Sequence, residues 1–153
     1  MTRRQTLLRR QDAGFSLIEL LVVIIIIGIL ASIAIPVFYS QRQKAGDAAT
    51  KNDLGEAATK VSAYFSEHTT FPPDAATMLG EGITLSRGVV IKGCWATDPT
   101  GTTGSPYILL GYNTETGRVY TYDALAAGIA PSARPTANDV SCPSGFTDGP
   151  TIP

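Results

Sequence analysis

The sequence predicts an α+β protein in which one long N-terminal helix packs on a small antiparallel β-sheet. Three observations support this fold class. A run of nineteen residues from Leu20 to Phe38 carries no charge, which suits a helix that spans a membrane. The residues that follow are polar but keep a helical spacing of apolar positions. The second half of the chain contains short β-type runs separated by turn signals.

Charge is distributed unevenly along the 153 residues, although the formal net charge is only −1. Residues 1–14 hold four arginines against one aspartate, whereas the rest of the chain holds 8 basic and 12 acidic side chains. A basic start before an apolar run orients insertion with that start in the cytoplasm, so the acidic remainder is expected outside. The overall charge gives no basic footprint of nucleic-acid binding. The four arginines are Arg3, Arg4, Arg9 and Arg10.

The uncharged run is too long for a secretory signal peptide, whose apolar core has about 7–15 residues and precedes a small-residue cleavage site. A helix of about twenty apolar residues instead matches the thickness of a bilayer. The small residue lies before the run, at Gly14, rather than after it. A break after Gly14 would remove the basic leader and leave the apolar helix in place.

The polar segment after Ser40 is expected to continue the same helix. It ends in an apolar stripe that would lie on an outer domain. We therefore expect a helix from Phe15 to about Ser66, roughly 75–80 Å long at the α-helical rise. Half of it would lie in lipid and half against the outer domain. The stripe consists of Leu54, Ala57, Ala58, Val61, Tyr64 and Phe65.

The remaining residues predict a small sheet of three or four strands. The segment between Phe65 and residue 89 is expected to be a loop, because it contains two prolines and turn-type glycines. Residues 89–96 predict a strand, and residues 107–112 and 118–123 predict a hairpin. In the second hairpin strand, Tyr120 and Tyr122 share one face. The Pro- and Gly-rich tail after the hairpin is expected to be largely irregular.

The two cysteines, Cys94 and Cys142, both fall in the part expected outside. An even count in an oxidising compartment favours a disulfide, which would pin the tail to the sheet. The alternative is a pair of buried free thiols. Two cysteines with the single histidine, His68, fall short of the four ligands of a structural zinc. No nucleophile motif accompanies His68 and no phosphate-binding loop is present, so we expect no enzyme, no cofactor and no metal site.

The stretch from Gly14 to Phe38 resembles the N-terminal signature of type IV prepilins. Its processing motif of Gly, then Phe, then Glu at the fifth mature position matches Gly14, Phe15 and Glu19. Two residues that weaken the family's helix match Gly28 and Pro36. The resemblance covers about residues 10–45 and is closest to pilins of Gram-positive, actinobacterial type. It implies a type IV pilin fold for the whole chain.

The resemblance also implies a processing route. A prepilin peptidase would cut after Gly14 and methylate the new amine of Phe15. Glu19 would then meet the Phe15 amine of a neighbouring subunit and set the register of filament assembly. The alternative for Glu19 is a carboxylate that favours the N-terminal helix dipole and reaches the headgroups. For Gly28 and Pro36, the alternatives are a segment that melts on assembly and a simple kink.

The implied organisation has four parts. They are a leader at 1–14, a hydrophobic transmembrane and assembly helix at 15–41, its amphipathic continuation at 42–67 and an outer domain at 68–153. The outer domain would comprise a connecting loop at 68–88, the sheet at 89–123 and a disulfide-bounded tail at 124–153.

The implied function is that of a structural subunit of a type IV pilus for adhesion, twitching motility or DNA uptake. The chain would begin as a single-pass precursor in the cytoplasmic membrane, with its leader inside, and end in an extracellular homo-oligomeric filament. An assembly ATPase and a platform protein would drive this step, and the filament could contact DNA or surface ligands. The alternatives are a pseudopilin of a type II secretion system and a monomeric single-pass protein whose outer domain binds a ligand.

Overall fold

The structure, a computed structural model, describes residues 14–97, 106–131 and 140–153. Most of the expected leader, residues 1–13, and part of the expected tail, residues 132–139, lie outside the described residues. The chain divides into two units, Met1–Tyr39 and Ser40–Pro153. The elements in chain order are α1 (Leu17–His68), α2 (Ala75–Gly80), β1 (Val89–Ala96), β2 (Tyr107–Asn113), β3 (Val119–Asp123), β4 (Gly128–Pro131) and β5 (Phe146–Ile152).

The first unit contains the N-terminal part of α1, whose side chains are not covered by any of the residues that the structure describes. Residues from Leu17 to Tyr39 are exposed, with Ala31 partly covered. Leu, Ile and Val fill this stretch all round the helix rather than on one face, as expected for a helix surrounded by an apolar medium. By length and composition, α1 can cross a membrane, and none of its most apolar stretch is buried.

The second unit buries one face of α1 against a sheet, as the apolar stripe predicted. Leu54, Ala57, Ala58 and Val61 are buried, and the last two members of the stripe are half-buried. The buried face begins earlier than expected because three polar residues extend it toward the N-terminus. These residues are Asp47, Thr50 and Asp53.

The sheet has five strands in the order β4-β3-β2-β1-β5, and every neighbouring pair is antiparallel. The structure thus confirms the α+β fold class and the three predicted strands. The expectation of three or four strands was wrong because β4 and β5 form the two edges from residues of the tail. Both strands contain Gly and Pro, which are typical of loops. An edge strand tolerates proline because the N–H groups on its outer side form no hydrogen bonds with another strand.

The expected loop before the sheet was also partly wrong, because it contains the short helix α2. Asp74 caps this helix by accepting hydrogen bonds from the Thr77 backbone N–H at 2.7 Å and the Thr77 hydroxyl at 2.8 Å. The backbone hydrogen bond from Thr77 lowers the pKa of Asp74. A six-residue helix is too short to show an apolar period, so only its capping residue marked it in the sequence.

The two faces of the sheet are covered by different segments. The face toward α1 carries Ile91, Tyr107, Leu109 and Tyr120, which pack with Leu54 in the main core. Tyr122 packs against the same core, so the two tyrosines share a face as predicted. The main core thus joins the sheet to the buried face of α1.

The opposite face of the sheet is covered by the last part of the tail. Cys94, Ile108 and Leu110 form a second cluster there, against which Cys142 and Phe146 pack. Cys94 and Cys142 form a disulfide whose Cα atoms are 5.6 Å apart. The bond closes a sequence separation of 48 residues and fastens the tail to β1.

Trp95 fills the space left by two glycines where β1 meets β5. The ladder between these strands shifts register between Lys92 and Cys94, as in a β-bulge. A Cβ atom on Gly149 would lie 2.6 Å from the indole nitrogen of Trp95, and one on Gly93 would lie 2.5 Å from its ring carbons. The other side of the indole stacks on Phe71 with ring centroids 4.9 Å apart.

Replacing both cysteines by serine should lower the free energy of unfolding by about 4 kcal/mol, because the unfolded chain regains the entropy of the open loop. Urea unfolding of the full chain in detergent micelles measures this change. Reductant should destabilise the wild-type chain by a similar amount and leave the double variant unchanged. Equal unfolding midpoints for the oxidised wild type and the variant would contradict a stabilising role.

Gly149→Ala should destabilise the second unit by about 1–3 kcal/mol, because the added methyl group overlaps the Trp95 ring. Trp95 fluorescence during urea unfolding reports the change. Gly80→Ala is the matched control, since a Cβ atom there meets nothing within 4 Å. A Gly149→Ala midpoint equal to that of the control would show that Trp95 does not depend on this glycine.

Candidate processing and assembly site

The expected cleavage junction lies immediately before α1 and outside the helix. Gly14, Phe15 and Ser16 are exposed and have no regular secondary structure, and the helix begins at Leu17. The Phe15 side chain is 87% exposed. A Cβ atom on Gly14 would meet nothing within 4 Å. The first hydrogen bonds of the helix are accepted by the Ser16 carbonyl, from the N–H groups of Glu19 and Leu20, so the Gly14–Phe15 bond lies outside the helix.

Glu19 lies in the first turn of α1 and accepts a hydrogen bond from the helix entry. The Ser16 backbone N–H donates to Glu19 Oε2 at 2.9 Å, and the Glu19 N–H donates to the Ser16 carbonyl at 3.1 Å. This arrangement is the Glu half of a capping box, in which the third helical residue reaches back to the N-cap backbone. The dipole role predicted for Glu19 did not include this bond, although Ser-x-x-Glu at 16–19 is the sequence signature of a capping box.

Gly28 and Pro36 do not interrupt α1 in the isolated chain, because the helix runs through both positions. Pro36 has no N–H, so the Ser32 carbonyl receives no helical hydrogen bond from it. The Ser32 hydroxyl donates to the Ile29 carbonyl at 2.7 Å. A Cβ atom on Gly28 would meet nothing within 4 Å, which leaves the helix surface open at that point. Melting of this segment on assembly stays a prediction.

His68 contacts the last turn of its own helix. Its ring stacks on Tyr64 with centroids 4.1 Å apart, and its Nδ1 lies 3.1 Å from the Tyr64 carbonyl at the end of α1. Among the residues that the structure describes, no group of three or more His, Cys, Asp or Glu side chains could hold a metal ion.

Comparison with known proteins connects this geometry to a family. Residues 9–35 match the family model described as the prokaryotic N-terminal methylation motif. The chain is 36% identical to the type II secretion system core protein G of Pseudomonas aeruginosa over 64 residues, which is 42% of this chain and 45% of that protein. It is 39% identical to the fimbrial protein EcpC of Eikenella corrodens over 70 residues, which is 46% of each chain.

A third relative matches over most of its length. The competence protein ComGC of Halalkalibacterium halodurans is 31% identical over 91 residues, which is 52% of this chain and 89% of that protein. The chain spans less than half the length of the first two relatives, so their similarity concerns only part of each molecule. With the methylation motif and the helix-on-sheet fold, these matches show that the chain belongs to the type IV pilin family of prepilin-type proteins.

Glu19→Ala should loosen the first turn of α1, because the Ser16 N–H loses its acceptor. Glu19→Gln should preserve the turn, since a Gln side chain also accepts this bond in a capping box. Backbone amide exchange at residues 16–20 of the full chain in micelles measures the difference. Equal exchange in the two variants would show that the cap does not hold the helix entry.

Proposed function

We propose that the chain is a structural subunit of a type IV pilus, cut after Gly14, N-methylated at Phe15 and polymerised into a surface filament. The observation that carries this proposal is the exposed apolar helix of the first unit, with a non-helical Gly14–Phe15 junction at its entry and a carboxylate one turn inside it. Such a helix needs lipid before assembly and other copies of itself afterwards.

The need for a partner for Glu19 supports cleavage at this junction. A charge near the bilayer interior costs about 2.5–3.5 kcal/mol at the centre of a helix and less toward its ends. Between Phe15 and Gln41 the chain has no Lys, Arg or His. Cleavage after Gly14 creates a positive charge there, the amine of Phe15. In the apolar core of a filament this amine and the Glu19 carboxylate of a neighbour would attract strongly.

The Ser16–Glu19 hydrogen bond still allows the Glu19 carboxylate to accept other donors. A single hydrogen bond to Oε2 leaves the carboxylate with further acceptor sites, since an ionised carboxylate offers about four. The same side chain can therefore cap its own helix and accept the amine of a neighbour. This supports one carboxylate acting in both the free and the assembled subunit.

The rest of α1 supports close packing of copies. Gly28 and Ser32 form a small-xxx-small pair, which lets two helices approach closely. Gly28 costs about 1 kcal/mol relative to Ala in a helix interior, and Pro36 removes one hydrogen bond, so residues 28–36 are the weakest part of the apolar stretch. In the filament, the apolar helices would form the centre and the sheet units the outside.

Processing and filament assembly would require partner proteins and a membrane. The precursor would sit in the cytoplasmic membrane with its leader inside, where a prepilin peptidase and methylase would process it. An assembly ATPase and a platform protein would extract it into an extracellular homo-oligomeric filament. We propose adhesion, twitching motility or DNA uptake as the filament's work, without a cofactor or a catalytic role. Kinship to actinobacterial pilins stays a prediction.

The second candidate is a pseudopilin of a type II secretion system. The similarity to the secretion core protein G of Pseudomonas aeruginosa favours it. Such a subunit would share the N-terminal processing but remain in the cell envelope. Mass spectrometry on filaments sheared from the cell surface separates the two candidates. A main component that begins at N-methylated Phe15 would establish the pilin, and processed chain in the membrane fraction alone would favour the pseudopilin.

Both Glu19→Ala and Glu19→Gln should reduce filament yield, by roughly a hundredfold if the full cost of an unpaired intramembrane charge drives assembly. Glu19→Gln keeps the helix cap, so its failure would assign assembly to the negative charge. Sheared filaments quantified by immunoblot give the yield. Glu67→Gln, an exposed change at the far end of α1, is the matched control. Normal filaments from Glu19→Gln would refute charge pairing.

A further inference from the structure

Five cationic side chains gather at one end of the second unit, around the start of its part of α1 and the turn between β2 and β3. We name this surface the basic pole. Two segments of chain besides α1 contribute to it, the loop before β1 and the β2–β3 turn. Arg42, Arg87 and Arg118 belong to it through ion pairs, and Lys51 through its position over the Tyr120 ring. Lys44 is included because it is exposed on α1 two residues after Arg42.

A single exposed carboxylate holds part of the basic pole together. Glu115, in the β2–β3 turn, accepts a hydrogen bond from Arg42 Nη2 at 3.0 Å. Its other oxygen lies 3.8 Å from Nε of Arg87. The side chains of Arg42 and Arg87 nevertheless remain 61% and 93% exposed, whereas Glu115 is 39% exposed. Two guanidinium groups therefore share one carboxylate and still face solvent.

The other carboxylates near the pole are buried. Asp47 pairs with Arg118, and the Asp47 side chain is 8% exposed while that of Arg118 is 56% exposed. The hydrogen bond from Arg118 to this carboxylate raises the arginine pKa. Asp53 is 3% exposed and accepts hydrogen bonds from the Ser86 N–H at 2.6 Å and the Ser86 hydroxyl at 3.1 Å. The arginine side chains of the pole are therefore exposed to solvent, whereas two of the neighbouring carboxylates are not.

The turn that presents Arg118 is held firmly on α1. Asn113 Oδ1 accepts hydrogen bonds from the N–H groups of Glu115 and Thr116, at 2.8 and 3.2 Å. A Cβ atom on Gly46 would lie 3.0 Å from the Thr116 methyl group, so the turn contacts the helix directly. Beside it, the Lys51 ammonium lies 4.8 Å from the centre of the Tyr120 ring. Part of the pole is therefore preorganised.

The opposite end of α1 has the other sign of charge. Glu67 lies near the end of the helix, and Asp74 and Glu81 flank α2. At the α-helical rise, Glu67 is roughly 37 Å along the axis from Arg42. Among the described residues after Ser40, the cations outside the pole are Lys60 and Lys92, and Lys92 is paired with Asp148 at 2.9 Å.

Chain connectivity keeps Arg42 close to the apolar stretch. Arg42 follows Tyr39 by three residues, so no conformation carries it more than about 11 Å away. Tyr is a residue type that concentrates at the membrane–water interface. Charges within roughly 8 Å of a surface interact with it at physiological ionic strength. If the apolar stretch lies in a bilayer, the anionic headgroups are therefore within reach of Arg42.

We propose that the basic pole binds the anionic phosphate headgroups of the bilayer that holds the unassembled subunit. The inference rests on the proposed function in one respect, namely that the apolar stretch resides in a membrane before assembly. The guanidinium groups of Arg42 and Arg87 match phosphate oxygens as paired donors. Glu115 competes for both of them from within the chain, which keeps the attachment weak enough for extraction. Tethering beside the bilayer favours headgroups over nucleic acid.

The test uses the full chain in nanodiscs of zwitterionic lipid with and without phosphatidylglycerol. Headgroup-spin-labelled lipids broaden the amide signals of residues 86–88 and 114–118 when the pole is docked. We expect broadening in anionic discs that disappears at high salt. Each of Arg87→Gln and Lys44→Gln should lower the docked-to-undocked ratio about fivefold. Glu115→Gln should raise it, because the competing carboxylate is lost.

Lys60→Gln is the matched control, since it removes a cation outside the pole and should leave the ratio unchanged. Equal broadening in zwitterionic and anionic discs would overturn the proposal. So would protection of the same amides by added double-stranded DNA without any effect of phosphatidylglycerol, which would make the pole a nucleic-acid surface. A broadening that changes equally in Arg87→Gln and Lys60→Gln would show a general charge effect and overturn it as well.

Failure of this proposal can be told apart from failure of the proposed function. The same variants are scored in cells for cleavage after Gly14 and for surface filaments. Normal processing and filaments without headgroup contact would reject the basic pole alone. A chain that keeps its leader and stays out of filaments in the wild type would reject the pilin function, whatever the nanodisc result.

Discussion

One helix of this protein must satisfy two surroundings, and the rest of the structure follows from that constraint. The first part of α1 is apolar on every side, and its side chains are exposed in the part of the chain that the structure describes. The second part is amphipathic and finds its cover in the sheet. An uncovered apolar stretch of this length is unfavourable in water, so the chain requires lipid or copies of itself. Its polar second unit then has to be stable beside either of them.

Polar side chains determine how the second part of α1 sits on the sheet. Asp53 binds the loop before β1 through Ser86, and Tyr107 reaches the helix from β2. The Tyr107 hydroxyl donates to the Ala58 carbonyl at 3.0 Å and lies 2.6 Å from the Ser62 hydroxyl. Burial raises the pKa of Tyr107, so the group stays a neutral donor. Apolar contacts alone would tolerate small slips of the helix, whereas these bonds require one position.

Acidic and basic side chains occupy different positions along α1. Glu19 lies at the start of the apolar stretch, and the Ser16 N–H of its own helix entry donates one hydrogen bond to it. The basic pole follows that stretch along the chain, and Glu67, Asp74 and Glu81 lie toward or beyond the other end of α1. A subunit with this separation of charge has a preferred orientation at an anionic surface.

Several features could be predicted from amino-acid composition and from the spacing of apolar residues. Nineteen uncharged residues predict a membrane helix, the spacing of Leu54, Ala57, Ala58 and Val61 predicts its buried face, and β-branched and aromatic runs predict the three inner strands. These signals are strong because many residues share them. Roles for Gly14, Phe15 and Glu19 could be predicted for a related reason, since these residues form a motif of fixed spacing.

Other features depend on contacts between residues that are distant in sequence, and these could be seen only in the folded chain. The edge strands β4 and β5 contain Gly and Pro, and pairing with β3 and β1 makes them strands. Asp47 and Asp53 are charged, so no hydrophobic pattern could place them on a buried face. Arg42, Arg87 and Arg118 are far apart in sequence, and the fold brings them to one surface. A sequence pattern is formed by residues that are close together in the chain. These features instead depend on contacts between segments that are far apart in the chain, so no local pattern marks them.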